Sequence, residues 1–318
     1  MKQPPVKQSN IVVVGGGTGV FTVLSGLKKY PVTLTAIISM ADDGGSTGVL
    51  REEFGILPPG DVRRALVALA HSNNRMLADL FNYRFEEGGL KGHTFGNIIL
   101  TALERVTGDF ESALDEAGRL LNIGGRVIPV TLDHVHLCAT LENGWRIKGE
   151  TNIDIPKHDP NLKIKKVYLE PNARGNTRAL DAIRAADLIV LGPGDLFTSI
   201  IPNLLVQGVV PAIKKSRGKK VFITSTMTKP GETTKFQAHD FLLTIEQYLG
   251  AGVLDHVVVN TKHPAHARLA AYHAEGKEMV RKGNLPLSPM PIFGDFIRKT
   301  GFVRHDPDKL AKVLVSLI

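Results

Sequence analysis

The sequence predicts an α/β protein built on a Rossmann-like, doubly wound and mostly parallel sheet, with a helical block and a small antiparallel β insertion. Three observations carry this reading. Short runs rich in valine and isoleucine recur at Ile11-Val12-Val13-Val14, Leu34 to Ser39, Leu188-Ile189-Val190-Leu191, Val221-Phe222-Ile223-Thr224 and His256-Val257-Val258-Val259. They lack the polar alternation of a half-exposed strand, so each reads as a strand buried on both faces, and the stretches between them have the helical spacing that parallel crossovers need. The first and third runs end in glycine-rich turns, Gly15-Gly16-Gly17-Thr18-Gly19 and Gly192-Pro193-Gly194. Open parallel sheets bind their ligands at such carboxyl ends.

Taken in order, the first run passes through its glycine turn into a helix carrying Leu24, Leu27 and Lys28, and the second ends in Ala41-Asp42-Asp43-Gly44-Gly45-Ser46-Thr47-Gly48. A helix-rich block follows, with candidates at Asp61 to Ala70, Met76 to Phe85, Phe95 to Val106 and Phe110 to Leu121, and contributes no strand. From Gly125 to Leu169 the character becomes β-type, with Arg126 to Thr131, His136 to Leu141 and an Asn143-Gly144 pair that marks a tight hairpin. The βα alternation resumes at Asn176 and runs to Thr261, after which the chain turns helical, crosses Pro286, Pro289 and Pro291, and ends in a helix from Pro307. This predicts a single domain over residues 1–318, with an α/β core from 1–60 and 170–318, a helical block at 61–124 and a β-rich insertion at 125–169.

Composition narrows the class of protein. With 318 residues, 43% hydrophobic and 22% charged, the chain buries a full core and is neither disordered nor collagen-like. Its 39 Lys and Arg against 31 Asp and Glu give a formal charge of +8, which suits nucleic acid, an anionic membrane surface or a small anionic ligand. The densest basic cluster, Lys214 to Lys220, falls at a predicted helix C-terminus, where cations complement the dipole. No helix-turn-helix, zinc-finger or aromatic RNP pattern accompanies it, so no nucleic-acid partner is expected. The one cysteine, Cys138, excludes an intramolecular disulfide and fits a reducing compartment, the cytoplasm. The polar start from Met1 to Asn10 and the lack of any apolar run near ~18 residues predict neither signal peptide nor membrane span.

Three loops carry candidate chemistry. Gly15, Gly16, Gly17, Thr18 and Gly19 sit where a nucleotide loop would, since glycines let the backbone approach a ligand and the free N–H groups of a helix start favour phosphate. The dinucleotide fingerprint is incomplete, because Val20 or Thr22 stands where its third glycine belongs, and the Gly-Lys-Ser/Thr of a P-loop is missing. Close packing of strand on helix explains the same glycines without a ligand. In the second loop, Asp42 and Asp43 are the candidate catalytic carboxylates. They can hold ribose hydroxyls, hold magnesium or act as a base, and from an extended chain they point apart. A solvated Asp-Gly turn with Ser46 or Thr47 as helix cap is the alternative. The third loop offers Gly192, Gly194, Asp195, Thr198 and Ser199 to an anion, or uses Thr198 or Ser199 only as a cap.

Further candidates are Thr94 to Asn97, Asn260-Thr261 and the patch Arg298, Lys299, Arg304 and His305. His134 with His136, and His263 with His266, lack the spacing of a four-ligand zinc site. A NAD-dependent oxidoreductase is disfavoured by the missing glycine and by the 27 positions from Gly15 to Asp42, where about 20 is usual.

Six segments together resemble the CofD-like family: Val13 to Gly19, Ala41 to Ser46, Leu57 to Arg63, Gly92 to Asn97, Gly192 to Asp195 and Met227 to Thr233. The intact helical block and the tail from Pro291 to Pro307 are similar to its YvcK-type branch of bacterial gluconeogenesis factors. One branch of the family, the 2-phospho-L-lactate transferases, moves a phospholactyl group from a guanosine diphosphate conjugate to a deazaflavin alcohol with magnesium, in coenzyme F420 synthesis. The other implies a UDP-sugar ligand, notably UDP-N-acetylglucosamine, and a role in growth on gluconeogenic carbon sources, cell shape and peptidoglycan synthesis without an established reaction. The resemblance implies that Gly15 to Gly19 hold the diphosphate, that Asp42, Asp43 and Ser46 face the sugar end, and that Asn97 and the Gly192 to Ser199 loop close the other side. It also implies that Arg304 pairs with a phosphate. No cofactor is fixed by these residues, and magnesium at Asp42 and Asp43, a regulatory partner protein of cell-wall synthesis and a homo-oligomer all stay open.

Overall fold

A computed structural model describes residues 8–71 and 75–318, so most of the polar Met1 to Asn10 segment lies outside the described residues. In chain order the first elements are β1 (Asn10–Gly15), α1 (Gly17–Leu27), β2 (Thr33–Ile38), α2 (Gly45–Phe54), α3 (Pro59–Leu69), α4 (Arg75–Asn82), α5 (Phe95–Thr107) and α6 (Phe110–Leu121). Next come β3 (Arg126–Pro129), β4 (His136–Leu141), β5 (Arg146–Lys148), α7 (Glu150–Asp154), β6 (Ile164–Glu170), α8 (Thr177–Arg184) and β7 (Leu188–Leu191). The chain continues through α9 (Ile201–Leu205), α10 (Val209–Lys215), β8 (Lys219–Ile223), α11 (Ala238–Leu249), β9 (His256–Asn260), α12 (His266–Ala274), β10 (Met290–Gly294) and α13 (Pro307–Val315). Among the described residues no helix is long and apolar enough to cross a membrane.

Seven strands form one sheet in the order β10-β9-β8-β7-β1-β2-β3, and every neighbouring pair is parallel. The valine-rich runs are buried on both faces, as their lack of alternation requires. Val12 and Val14 of β1 enter one core with α8 to α11, while Ile11 and Val13 enter the other with α1, α3 and α13. The strand order turns back at β1, where β2 and β3 run one way and β7 to β10 the other. The connections leaving β1 and β7 therefore diverge above the sheet and leave a crevice at their carboxyl ends.

The structure corrects the expected course in two places. Arg126–Pro129, read as part of the β-rich insertion at 125–169, is instead β3, the outer strand of the main sheet, paired Thr35↔Arg126 to Ile38↔Pro129. The antiparallel sheet starts only at His136 and has the order β5-β4-β6. The proline-bearing stretch near Pro291 contains β10, whose outward side is half-exposed and unpaired, so a proline is tolerated. The Asn143-Gly144 turn is where it was expected, with Gly144 in the left-handed region at φ 89°. Leu137, Ala139, Val167 and Leu169 of the small sheet share a core with Val14 and Ile37 of the large one, so the insertion is packed against the crevice.

Candidate functional site

A polar cleft of about 570 Å³ opens above the carboxyl ends of β1, β2 and β7. A second lobe of about 280 Å³ adjoins it, and Thr18, Gly19, Gly194, Asp195 and Arg304 line both. The floor is the glycine loop. Gly16 precedes α1 in an extended conformation with no side-chain cap, Gly17 follows at φ 63°, and only glycine fits the next contact: a Cβ on Gly19 would lie 1.7 Å from the Pro193 carbonyl oxygen. Ser199 rests against Gly16 and Gly17 from the third loop, which enters a π-helical turn at Leu196–Ile200 rather than a regular helix.

The sequence-predicted residues divide. Gly16, Gly17, Thr18, Gly19, Asp42, Ser46, Asn97, Gly194, Asp195, Thr198, Ser199 and Arg304 all line the larger lobe. Gly15, Gly192 and Asp43 do not. Gly15 and Gly192 shape the turns from behind, Gly192 donating its N–H to Val14 O at 3.0 Å and Gly15 accepting from Ser39 N at 3.0 Å. Asp43 faces away from Asp42, as an extended chain dictates, and accepts from the backbone N–H groups of Glu150 (3.1 Å) and Thr151 (2.8 Å). Both its oxygens thus accept backbone N–H groups at the start of α7, while Asp42 is the acid of the pair that lines the cleft.

Asp42 keeps the cleft side. Burial pushes its carboxyl up, against donors at Gly44 N (2.9 Å) and Thr47. Beside it stands Asp61 of α3, which sequence reasoning passed over. Its carboxylate would lie 2.4 Å from a Cβ on Gly16 and accepts from the Gly17 N–H, and burial, then the Asp42 charge, pushes it up to about 6. Arg64 answers it at 3.3 Å. The Asp42 charge thus acts on Asp61, and both acids line the same cleft.

The walls come from segments far apart in the chain. Arg63 of α3 is 5% exposed and donates to Asn97 Oδ1 (3.0 Å), Phe81 O (3.3 Å) and Asn82 Oδ1 (2.6 Å). Ser46 Oγ lies 3.1 Å from His93 Nδ1 and accepts from Asn97 Nδ2 at 3.3 Å. On the other wall the ammonium of Lys229 touches Asp154 of α7, Asp195 at 2.9 Å and Glu232 at 3.0 Å. These three carboxylates are the one such group among the described residues close enough to hold a metal ion, but Lys229 already supplies the cation. One ammonium does not neutralise three acids, so Glu232, whose side chain is 1% exposed, is pushed up to about 8 by burial and then by Asp195 and Asp154. Glu150, also lining the cleft, is pushed up to about 9 by burial first and the surrounding carboxylates second. Neither His134 with His136 nor His263 with His266 belongs to a metal-sized group among the described residues.

A signal for the missed residues exists. Asp61, Arg63 and Arg64 open a helix whose remaining residues, Ala65 to Leu69, are all buried. Arg63 shares the turn spacing of Leu66 and Val67, so a charge falls on an apolar face, which is where buried functional charges declare themselves.

His305, adjacent to Arg304, is 5% exposed and its Nε2 has no partner among the described residues. Burial pulls its pKa from 6.5 down to about 4. Between those values the unfolded chain takes up a proton that the folded chain refuses, so this residue lowers stability as pH falls, by about 2 kcal/mol between pH 7 and pH 5. Denaturant unfolding of wild type and His305→Leu at both pH values is expected to show the fall in wild type and to lose that part of it in the variant. Parallel pH dependences would refute it.

A crevice at the switch point of a parallel sheet, floored by a glycine loop and lined by arginines and carboxylates, defines an α/β protein of the Rossmann-like, doubly wound class. The family described as 2-phospho-L-lactate transferase CofD matches residues 11–288. A Clostridium acetobutylicum protein is 42% identical over 98% of this chain and 70% of its own. Proteins named gluconeogenesis factor from Halalkalibacterium halodurans and Bacillus subtilis are each 40% identical, over 98% of this chain and 97% and 99% of theirs. The crystal structure of a UPF0052-family protein from Bacillus halodurans superposes with a TM-score of 0.91 at 39% identity, covering 98% of this chain and 99% of that one. The chain belongs to the CofD family, and within it stands with the bacterial gluconeogenesis factors.

Proposed function

We propose that this protein binds a nucleotide sugar in the cytoplasm, with UDP-N-acetylglucosamine as the ligand to test first, and acts as a regulator that couples carbon supply to cell-wall synthesis through a protein partner. Arg304 is the observation that carries the reading. It lines both lobes opposite a loop of glycines, it is exposed, and it has no acidic partner among the described residues, only the Phe302 ring at 5.2 Å. An arginine held over aromatic surface beside a glycine-rich helix start suits a diphosphate placed between a base and a sugar. Isothermal titration with UDP-N-acetylglucosamine is expected to show binding by wild type and at least about tenfold weaker binding by Arg304→Ala, the loss of one charge-assisted pair. Undetectable wild-type binding sinks the ligand, and an unchanged variant sinks the role of Arg304.

A second reading, transferase chemistry on a guanosine diphosphate conjugate, is favoured by the Asp42 and Asp61 pair. These would hold magnesium, which would supply charge neutralisation for a diphosphate leaving group. Formation of a phospholactyl product from that conjugate and a deazaflavin alcohol is its test.

A further inference from the structure

The wall formed by the helical block carries more positive charge than a neutral sugar can use. Arg63 is 5% exposed, and its three acceptors, Asn97 Oδ1, Phe81 O and Asn82 Oδ1, are all uncharged. It has no ion-pair partner among the described residues, and Asp61, the nearby acid, is engaged by Arg64. A guanidinium taken out of water with no carboxylate in contact, the Asp61 charge reaching it only from beyond ion-pair distance, is a standing cost that a bound anion would relieve. Thr94, 1% exposed, lines the same wall with a hydroxyl that has no partner among the described residues. It is the residue that caps α5, yet its side chain accepts no helix N–H, and α2 likewise starts without a side-chain cap. Two uncapped helix starts of ten or more residues thus contribute Ser46, Thr94 and Asn97 to the wall, with their dipoles favouring negative charge. Arg84, exposed on the rim, donates to the Gly92 carbonyl at 2.5 Å and has no acidic partner among the described residues.

We propose that this wall is a second oxyanion subsite, and that the preferred ligand is a nucleotide sugar bearing a carboxylate or phosphate on its sugar in addition to its diphosphate. The inference rests on the nucleotide-sugar reading above. The diphosphate engages the glycine loop and Arg304, and the sugar's anion engages Arg63, Arg84 and the Thr94 hydroxyl. A neutral sugar would leave Arg63 and Thr94 unanswered.

The experiment is calorimetric titration of the whole chain with UDP-glucose and UDP-glucuronate, which differ at the sugar by one carboxylate. Wild type is expected to bind UDP-glucuronate about tenfold or more tightly, the worth of one charge-assisted pair. Arg63 also ties α3 to the end of α4, so Arg63→Gln is accompanied by Arg84→Gln on the exposed rim and Thr94→Val. Each is expected to narrow the gap by lowering UDP-glucuronate affinity more than UDP-glucose affinity. Thermal melting of the UDP-bound protein with acetate or inorganic phosphate then separates the two oxyanions: the one that raises Tm in wild type and not in Arg84→Gln is the one the subsite takes. Equal affinities for the two sugars in wild type overturn the subsite while the nucleotide-sugar reading stands, and a preference that survives all three variants overturns its assignment to this wall. Failure of both UDP-sugars to bind takes the parent reading down with it.

Discussion

Lys229→Met is expected to lower stability by about 2–3 kcal/mol at neutral pH, below the ~3–5 kcal/mol of a fully buried pair because Asp154 and Asp195 are partly exposed. Methionine keeps the volume and removes the cation, leaving three carboxylates within 4.8 Å of one another. The pH dependence identifies the cause. Glu232 is raised above its unfolded value of 4.5 to about 8, so its contribution is full below pH 4.5 and is lost as pH rises through 8. Without Lys229 that loss steepens, and the deficit of the variant should be larger at pH 8.5 than at pH 6 in chemical denaturation. A deficit that is constant or shrinks with rising pH would mean Lys229 serves only as packing.

Gly19→Ala should be the most damaging single methyl group in the molecule's cleft. The added carbon would lie 1.7 Å from the Pro193 oxygen and 2.5 Å from its carbon, both backbone atoms that no side-chain rotation can clear. The loops after β1 and β7 must separate, at a cost of about 3 kcal/mol, and the glycine floor of the cleft opens with them. Expected are a lowered Tm and at least a tenfold loss of UDP-N-acetylglucosamine affinity. Gly89→Ala, with nothing within 4 Å and no positive φ, is the control and should stay within about 0.5 kcal/mol of wild type. A Gly19→Ala protein that melts and binds like this control would show that the two loops do not need their close approach.

The legible parts of the fold were those where one physical requirement acts alone. β1, β7 and β9 are buried on both faces, so unbroken apolar runs mark them. The glycines at 15–19 and 192–194 are marked by what a Cβ would strike. β3 and β10 were not legible as members of the main sheet, because edge strands tolerate Pro129 and Pro291 and need little apolar run. At the site, adjacency of Asp42 and Asp43 gave two carboxylates but not which one faces the cleft; the position of α7 decides that. Glu150, Asp154 and Lys229 reach the cleft only through packing of the insertion on the sheet, a relation between residues 75 positions apart or more that no local pattern encodes. The +8 charge was the weakest guide: the useful cations are a few arginines, one of them buried on an apolar helix face.

The strand order also governs when the protein can work. β1 is made first and lies at the centre of the sheet, but its partner on one side is β7, and the Asn10 N–H closes on Asp187 Oδ2 across 177 residues of sequence. A nascent chain that has released the glycine loop therefore holds only half a crevice until the ribosome has delivered the loop at 192–199. Such long-range closure is slow compared with local helix formation, and it is all-or-none for the pocket. The cleft is thus a property of the nearly complete chain: an amino-terminal fragment that stops before residue 192 carries the glycine loop without the wall that faces it.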